Sequence, residues 1–476
     1  MRKLIVTLAA AFLLLPPLAA QNFETEYFLG GNPYAFRLNP AFQSERNLIS
    51  VGLGMHGVNA LSNIGVSTFF YPEDDRLFFF MNDQVLPSTF LPKLRRINYL
   101  DVDAQVNLLT VGFWARRNFF TVDVNVRSQN AVSLPYDLFR LIKGDKLESD
   151  VFECGNTGLR SLTFAEADFG WSRNFDNVFS VGVRTKFLMG AEAVELMLQK
   201  MKVTVHANSW SLESQGQLIA SSPVFQVALM KDSGNVDFSS LGLDWSKAAP
   251  SGWGGAVDLG FSWNILPVLT LSGAILDLGT IRWSHDFSFA TQEGSYEWYP
   301  DATNTGAQDL AAEVDRLLSF ASNILRWNEI SDARPTFEPM PFRVHLGAEF
   351  RMPFYDRLST GLLYQGRFLD HFTRHTGRFS VNWNPLDFLS LSTSATLTRL
   401  GESIGFALNL HPNAVNLILG CDYIPLRVMD ANKLFGTLNQ RWAILPRDQM
   451  KLNFYFGLNL AFGRRRLDHA RSFIYE

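Results

Sequence analysis

The chain has 476 residues, with 42 Lys and Arg set against 46 Asp and Glu, and its net charge of −4 leaves no basic surplus for a nucleic-acid partner. With 41 Phe and only 18% charged residues it is too aromatic and too sparsely charged for an ordinary soluble surface. Two cysteines far apart, Cys154 and Cys421, exclude a disulfide framework and leave at most one bridge.

Residues 1–20 read as a signal peptide. Arg2 and Lys3 precede an apolar run from Leu4 to Leu15, Pro16 and Pro17 break it, and cleavage is expected before Gln21. After it no apolar run reaches the roughly eighteen residues of a spanning helix. Residues 21–47 hold Phe23, Tyr27, Phe28, Leu29, Tyr34, Phe36 and Phe42 without alternation, so they make a poor strand. Leaving those side chains in water would cost roughly 25 cal/mol per Å². The segment is therefore expected inside a larger structure, with Arg37, its only cation before Ser44, paired to Glu166 or Asp168.

From residue 48 onward, apolar and polar side chains alternate over segments of about ten residues. Phe120, Val122, Val124 and Val126 alternate with Thr121, Asp123, Asn125 and Arg127, and Phe342, Val344, Leu346, Ala348 and Phe350 with Arg343, His345, Glu349 and Arg351. Leu389, Leu391, Ala395 and Leu397 oppose Ser390, Ser392, Ser394 and Thr396, and Ile404, Phe406, Leu408 and Leu410 oppose Gly405 and Asn409. Val415, Leu417, Leu419, Cys421 and Tyr423 oppose Asn416, Gly420 and Asp422. The last segment sets Leu452, Phe454, Phe456, Leu458, Leu460 and Phe462 against Asn453, Tyr455, Gly457, Asn459 and Ala461.

Six short turns punctuate the pattern, at Ala115–Asn118, Arg173–Asn177, Leu266–Pro267, Pro353–Asp356, Asn384–Asp387 and His411–Asn413. Seven outer connections, mostly long, alternate with them. This predicts an all-β fold, a 14-stranded antiparallel transmembrane β-barrel over residues 48–463 in the cell outer membrane, followed by a periplasmic tail, 464–476, with the basic run Arg464–Arg466. Trp114, Phe119, Phe120, Trp171, Trp263, Phe354, Tyr355, Trp383 and Phe388 flank the short turns and predict a periplasmic aromatic girdle. Phase breaks near Leu108–Leu109 and Ile275–Leu276 predict β-bulges. In the outer loops, Leu310, Val314, Leu317 and Leu318 recur at helical spacing within Gln308–Trp327; Leu134–Lys143 reads as a shorter helix and 199–220 as an extended hairpin.

No motif for catalysis, cofactor or metal stands out. His371 and His375 are spaced by four but lack an acidic third ligand, and read as solvated histidines of a short outer loop. Glu73, Asp74 and Asp75 beside Arg76 read as a solvated loop tip. The inward register collects Asp123, Arg127, Glu166, Asp168, Arg184, Lys186, Asp258, Arg343, His345, Glu349, Arg351 and Arg367. Charges of both signs in a narrow lumen pair with one another and with whatever fills it. A Ser–His–acid hydrolase on His345 is the weaker reading, because His345 lies mid-strand rather than at the outer rim. The chain is read as no enzyme.

The stretches Tyr27–Phe42, Leu134–Gly144, Asp277–Trp283 and Leu410–Gly420 are scattered over most of the chain. By them it resembles an uncharacterised outer-membrane family of Bacteroides-type bacteria within the long-chain fatty-acid transporter-like (FadL-like) barrels. Asn39-Pro40-Ala41 is similar to the Asn-Pro-Ala of that group, and the resemblance implies that these residues, with Arg37, belong to an N-terminal plug spanning 21–47. The expected partners are outer-membrane lipid and a small hydrophobic ligand, with a protein at the outer loops as the alternative. The expected function is a plugged channel taking up small hydrophobic or amphipathic molecules. The other reading is a non-transporting scaffold or secretion-system accessory barrel.

Overall fold

The computed structural model describes residues 24–463 except 74–75, 83, 145–146, 148, 208, 230–235, 285–286, 292–294, 299–324, 326, 331–335, 369–372, 399–400, 425–427, 431–443 and 447–450. The expected signal peptide, His371, Asp74, Asp75, nearly all of the expected Gln308–Trp327 helix and the basic tail lie outside the described residues.

Fourteen antiparallel strands close into a barrel. β1 is interrupted, running Asn47–Val51 and then His56–Ser62. It is followed by β2 (Ile97–Ala115), β3 (Asn118–Pro135), β4 (Thr157–Phe175), β5 (Phe179–Val205), β6 (Gly252–Leu266) and β7 (Leu269–Trp283). The circuit continues through β8 (Phe342–Arg351), β9 (Leu358–Phe368), β10 (Thr373–Leu386), β11 (Leu389–Thr398), β12 (Gly401–Leu410), β13 (Val415–Ile424) and β14 (Lys451–Phe462). Each strand pairs with its sequence neighbours, and β14 pairs with both pieces of β1, so no edge is left open.

The alternation decides which face is which. Along β8, Leu346 is 52% exposed on the outer wall while His345 is fully buried. Phe169, Phe187, Leu362 and Leu460 likewise face outward, and the serine row of β11 faces the lumen. A charge on this outer face would have no water to solvate it at mid-membrane depth.

Both expected phase breaks are bulges. In β2 the register slips between Asn107 and Leu109, leaving Leu108 exposed. In β7 the pair Leu276 and Asp277 opposes the single Asp258 of β6, Asp277 takes φ +63°, and its amide donates to Asp258 Oδ1 at 2.7 Å. A third bulge, at Asp422–Tyr423 of β13, turns Tyr423 inward, although alternation placed it on the lipid face. The periplasmic girdle also needs correction: Phe119 is buried inside against Phe36 and Trp114, and Trp114 donates from Nε1 to the Ser44 carbonyl. His375 belongs to β10 rather than to a loop, and its Nδ1 meets the Tyr364 hydroxyl at 2.8 Å.

Above the membrane, β5 runs on into a sheet with Trp210–Ser221, Phe287–Thr291, Ser295–Trp298 and Trp327–Glu329, extending the expected hairpin. Met201, Val203, Val205, Trp210, Leu212 and Trp327 form its core with Cys154. Both cysteines are free, and burial pushes the Cys154 thiol up to about 12. Helix α1 (Tyr136–Lys143) starts two residues later than expected, because Leu134 and Pro135 end β3. It packs Phe139 onto Phe69, Phe80 and Phe90 of the 63–96 loop. The short strand Thr336–Pro339 carries the line of β8 upward along β7 beyond a break at Met340–Pro341.

Replacing Leu346 with Arg is expected to destabilise the folded barrel by about 2–4 kcal/mol, read from reversible unfolding in lipid. A change below 0.5 kcal/mol, roughly, would mean that Leu346 does not face the hydrocarbon.

Candidate functional site: the filled lumen

Residues 24–46 lie inside the barrel, and polar wall groups hold them at several heights. At the upper end the Glu24 and Thr25 amides donate to the two Asp422 oxygens at 3.0 and 2.8 Å. Arg378 of β10 donates to Glu24 Oε2 at 3.0 Å and to Thr25 Oγ1 and Ser394 Oγ, while Ser392 Oγ donates to the Thr25 carbonyl. Tyr27 is buried with its hydroxyl 3.1 Å from Ser272 Oγ.

The Asn39-Pro40-Ala41 bend is fitted to the wall. Asn39 donates from Nδ2 to the Phe261 carbonyl at 3.0 Å and accepts the Ala41 amide on Oδ1, a local side-chain turn. Gly260 and Gly182 leave the space this bend fills: a Cβ on Gly260 would come within 2.1 Å of Asn39 Oδ1, and one on Gly182 within 2.0 Å of the Pro40 carbonyl. His345 closes the contact from β8, with Nδ1 2.9 Å from the Leu38 carbonyl and Nε2 3.1 Å from Gln365 Nε2. Both ring nitrogens are thus engaged, neither by a serine, and the hydrolase reading has no geometry behind it.

Arg37 pairs with Asp123 at 2.7 Å and also donates to Thr110. The expected partners, Glu166 and Asp168, are already taken. Glu166 accepts from Arg127 at 2.7 Å, and Asp168 from Arg184 at 2.6 Å. Register put all three carboxylates on the inner face, but the choice among them depends on which one the segment's path reaches.

Beside this segment the lumen is crossed by a layer of paired charges. Its centre is Asp277, which binds Arg127 in a bidentate fork (2.9 and 3.0 Å), Lys186 at 2.5 Å and Arg343 at 2.8 Å. Lys186 also reaches Asp258 at 2.9 Å, and Arg184 joins Asp123, Asp168 and Asp258. Arg367 forks onto Asp103, and Arg374 pairs with Asp101. Glu349 stands apart, accepting from Ser359 Oγ at 2.7 Å, and Arg351 lies half-buried at the periplasmic end of β8. Alternation alone did not single out Asp277; the signal was the β7 phase break, which brings one extra residue inward. Asp101, Asp103, Arg374, Arg378 and Asp422 were likewise missed as site residues.

Above the charges an apolar layer of Leu162, Phe164, Leu188, Ile281 and Trp283 fills the barrel. Among the described residues, a cavity beside Asp101, Asp103, Arg160 and Arg367 measures about 20 Å³, room for one water. A wider recess of about 320 Å³ opens at the periplasmic mouth beside Gly31, Arg46, His411 and Asn416. The charged groups around Asp277 and Arg184 bind one another.

Fold and interior together define an integral outer-membrane β-barrel whose lumen is occupied by its own N-terminal segment and a layer of ion pairs. The chain belongs to a family of unknown function (DUF5723), whose model matches residues 40–422. Among solved structures it is similar to the toluene transporter TbuX of Ralstonia pickettii, with 9% identity and a TM-score of 0.43 over 91% of this chain and 94% of that one. The toluene transporter TodX of Pseudomonas putida gives 10% identity and a TM-score of 0.42 over 93% and 98% of the two chains. A FadL homologue of Pseudomonas aeruginosa gives 10% and 0.40 over 94% and 100%. Likenesses this distant say nothing of this chain's cargo. No curated protein matches.

Asp277→Asn would leave Arg127, Lys186 and Arg343 short of one negative charge in a desolvated space. Unfolding measurements are expected to show a loss of about 3–5 kcal/mol, while Glu349→Gln, outside the network, costs about 1 kcal/mol or less. Equal effects of the two substitutions would remove Asp277 from the centre of the layer.

Proposed function

We propose that this barrel is a plugged channel for small apolar or amphipathic molecules, with residues 21–47 as the plug. The observation that carries the reading is how residues 24–46 are held. They join no ladder of the wall, and the hydrogen bonds and ion pairs that fix them come mainly from side chains. Such a segment can shift without opening the barrel, whose closure runs through β14 and β1. Arg37, Asn39, Pro40 and Ala41 act in this reading as the fitted bend of the plug. On the outer side the partly exposed Phe69, Phe78 and Phe79 of the 63–96 loop, packed on the buried Phe80, Phe90 and Phe139, offer apolar surface where an apolar molecule can partition.

One observation favours a second reading, a non-transporting scaffold for a protein partner. The ion pairs around Asp277 cross the lumen, and an axial path would have to break several of them. Flux into proteoliposomes separates the two. The channel reading expects wild-type barrels to accelerate entry of a labelled hydrophobic probe over protein-free liposomes. It also expects deletion of residues 22–40 to raise small-solute permeability at least several-fold while the barrel still assembles. Unchanged permeability of the deletion variant would remove the plug, and absence of probe flux alongside a stably co-purifying protein would favour the scaffold.

A further inference from the structure

Trp253 and Trp263 both face outward from β6, each about half exposed. They are ten residues apart, which at about 3.3 Å per residue and a tilt of about 40° is roughly 25 Å along the barrel axis, the height of an outer-membrane apolar band. Trp263 lies beside the short turn between β6 and β7, so Trp253 marks the opposite, outer headgroup level.

At that level the strand register sets Met189, Trp253, Arg282 and Phe337 side by side on four neighbouring strands. All four are exposed on the outer wall, Phe337 most of all at 68%. The Arg282 guanidinium stands 6.0 Å from the Phe337 ring centroid, and no carboxylate pairs with it among the described residues. A cation on the lipid face is costly at the midplane and cheap near the interface. A guanidinium there meets phosphate oxygens, which its planar fork matches better than an ammonium does. Directly below, Gly255 opposes Thr280, with the exposed Phe187 level with Gly255 on β5 and the exposed Leu278 one step further down β7. Gly255 and Thr280 form a shallow furrow in an otherwise bulky wall.

We propose that Arg282, flanked by Trp253 and Phe337, binds the phosphate of an outer-leaflet glycolipid, one of whose acyl chains lies in the Gly255–Thr280 furrow. The assignment rests on the outer-membrane placement of the barrel and is independent of transport. Charge complementarity selects the occupant: the patch offers a cation, without a carboxylate partner among the described residues, between two aromatic rings at the height where lipid phosphates lie.

The test uses the full-length barrel with bis-phosphorylated lipid A, its dephosphorylated form and inorganic phosphate as probes, and native mass spectrometry as readout. Wild type is expected to retain bis-phosphorylated lipid A at least about fivefold better than the dephosphorylated form, the range of a charge-assisted hydrogen bond. Arg282→Gln should lose that preference, whereas Arg117→Gln at a periplasmic turn should keep it. Heat-modifiable gel mobility checks that each variant is folded, and a wall-surface change at Arg282 leaves the lumen untouched. Equal retention by wild type and Arg282→Gln would overturn the site. Displacement of the lipid by an equal concentration of inorganic phosphate would overturn the lipid assignment and leave a plain anion site.

Discussion

A charge buried in a barrel lumen has few ways to be satisfied, and this constraint organises the layer of ion pairs that crosses the interior. Removing a carboxylate or guanidinium from water costs several kcal/mol, recovered only when good geometry and further hydrogen bonds surround it. Here Asp277 receives three cations and Arg184 three carboxylates, so neither can move without leaving others uncompensated. Arg37 extends the same lattice to the N-terminal segment through Asp123. The segment and the charge layer are thus parts of one electrostatic unit.

The wall answers a different requirement. Its strands satisfy their backbone groups among themselves and expose Leu, Phe and Trp outward, so the closure of the barrel runs through the wall itself. This division explains the placement of glycines. Gly182 and Gly260 sit where the Asn39–Ala41 bend approaches the wall backbone, and a methyl at either position would collide with it.

The barrel was legible in the sequence because lipid on one side and a polar lumen on the other impose a strict period of two. Phe342–Arg351 and Leu389–Thr398 show it without interruption, and their faces in the structure agree with it. Legibility ended where the period was broken. A single extra residue inverts every later side chain, so Tyr423 changed faces, and the β7 phase break marked a bulge without showing that Asp277 would come inward. Partner choice was also hidden, since three inward carboxylates look alike in sequence and only the chain's path selects Asp123 for Arg37. Phe119 was mistaken for a girdle residue because its position beside a turn outweighed the parity of its own strand.

The filled lumen requires residues 24–46 to be held inside an otherwise complete barrel. Hydrogen–deuterium exchange of the intact protein in lipid tests this most directly. The Glu24 and Thr25 amides, bound by Asp422, and the amides through the Asn39–Ala41 bend are expected to exchange far more slowly than free peptide, approaching the protection of the neighbouring strands. Exchange of this segment within seconds, with β10 and β13 still protected, would contradict the account.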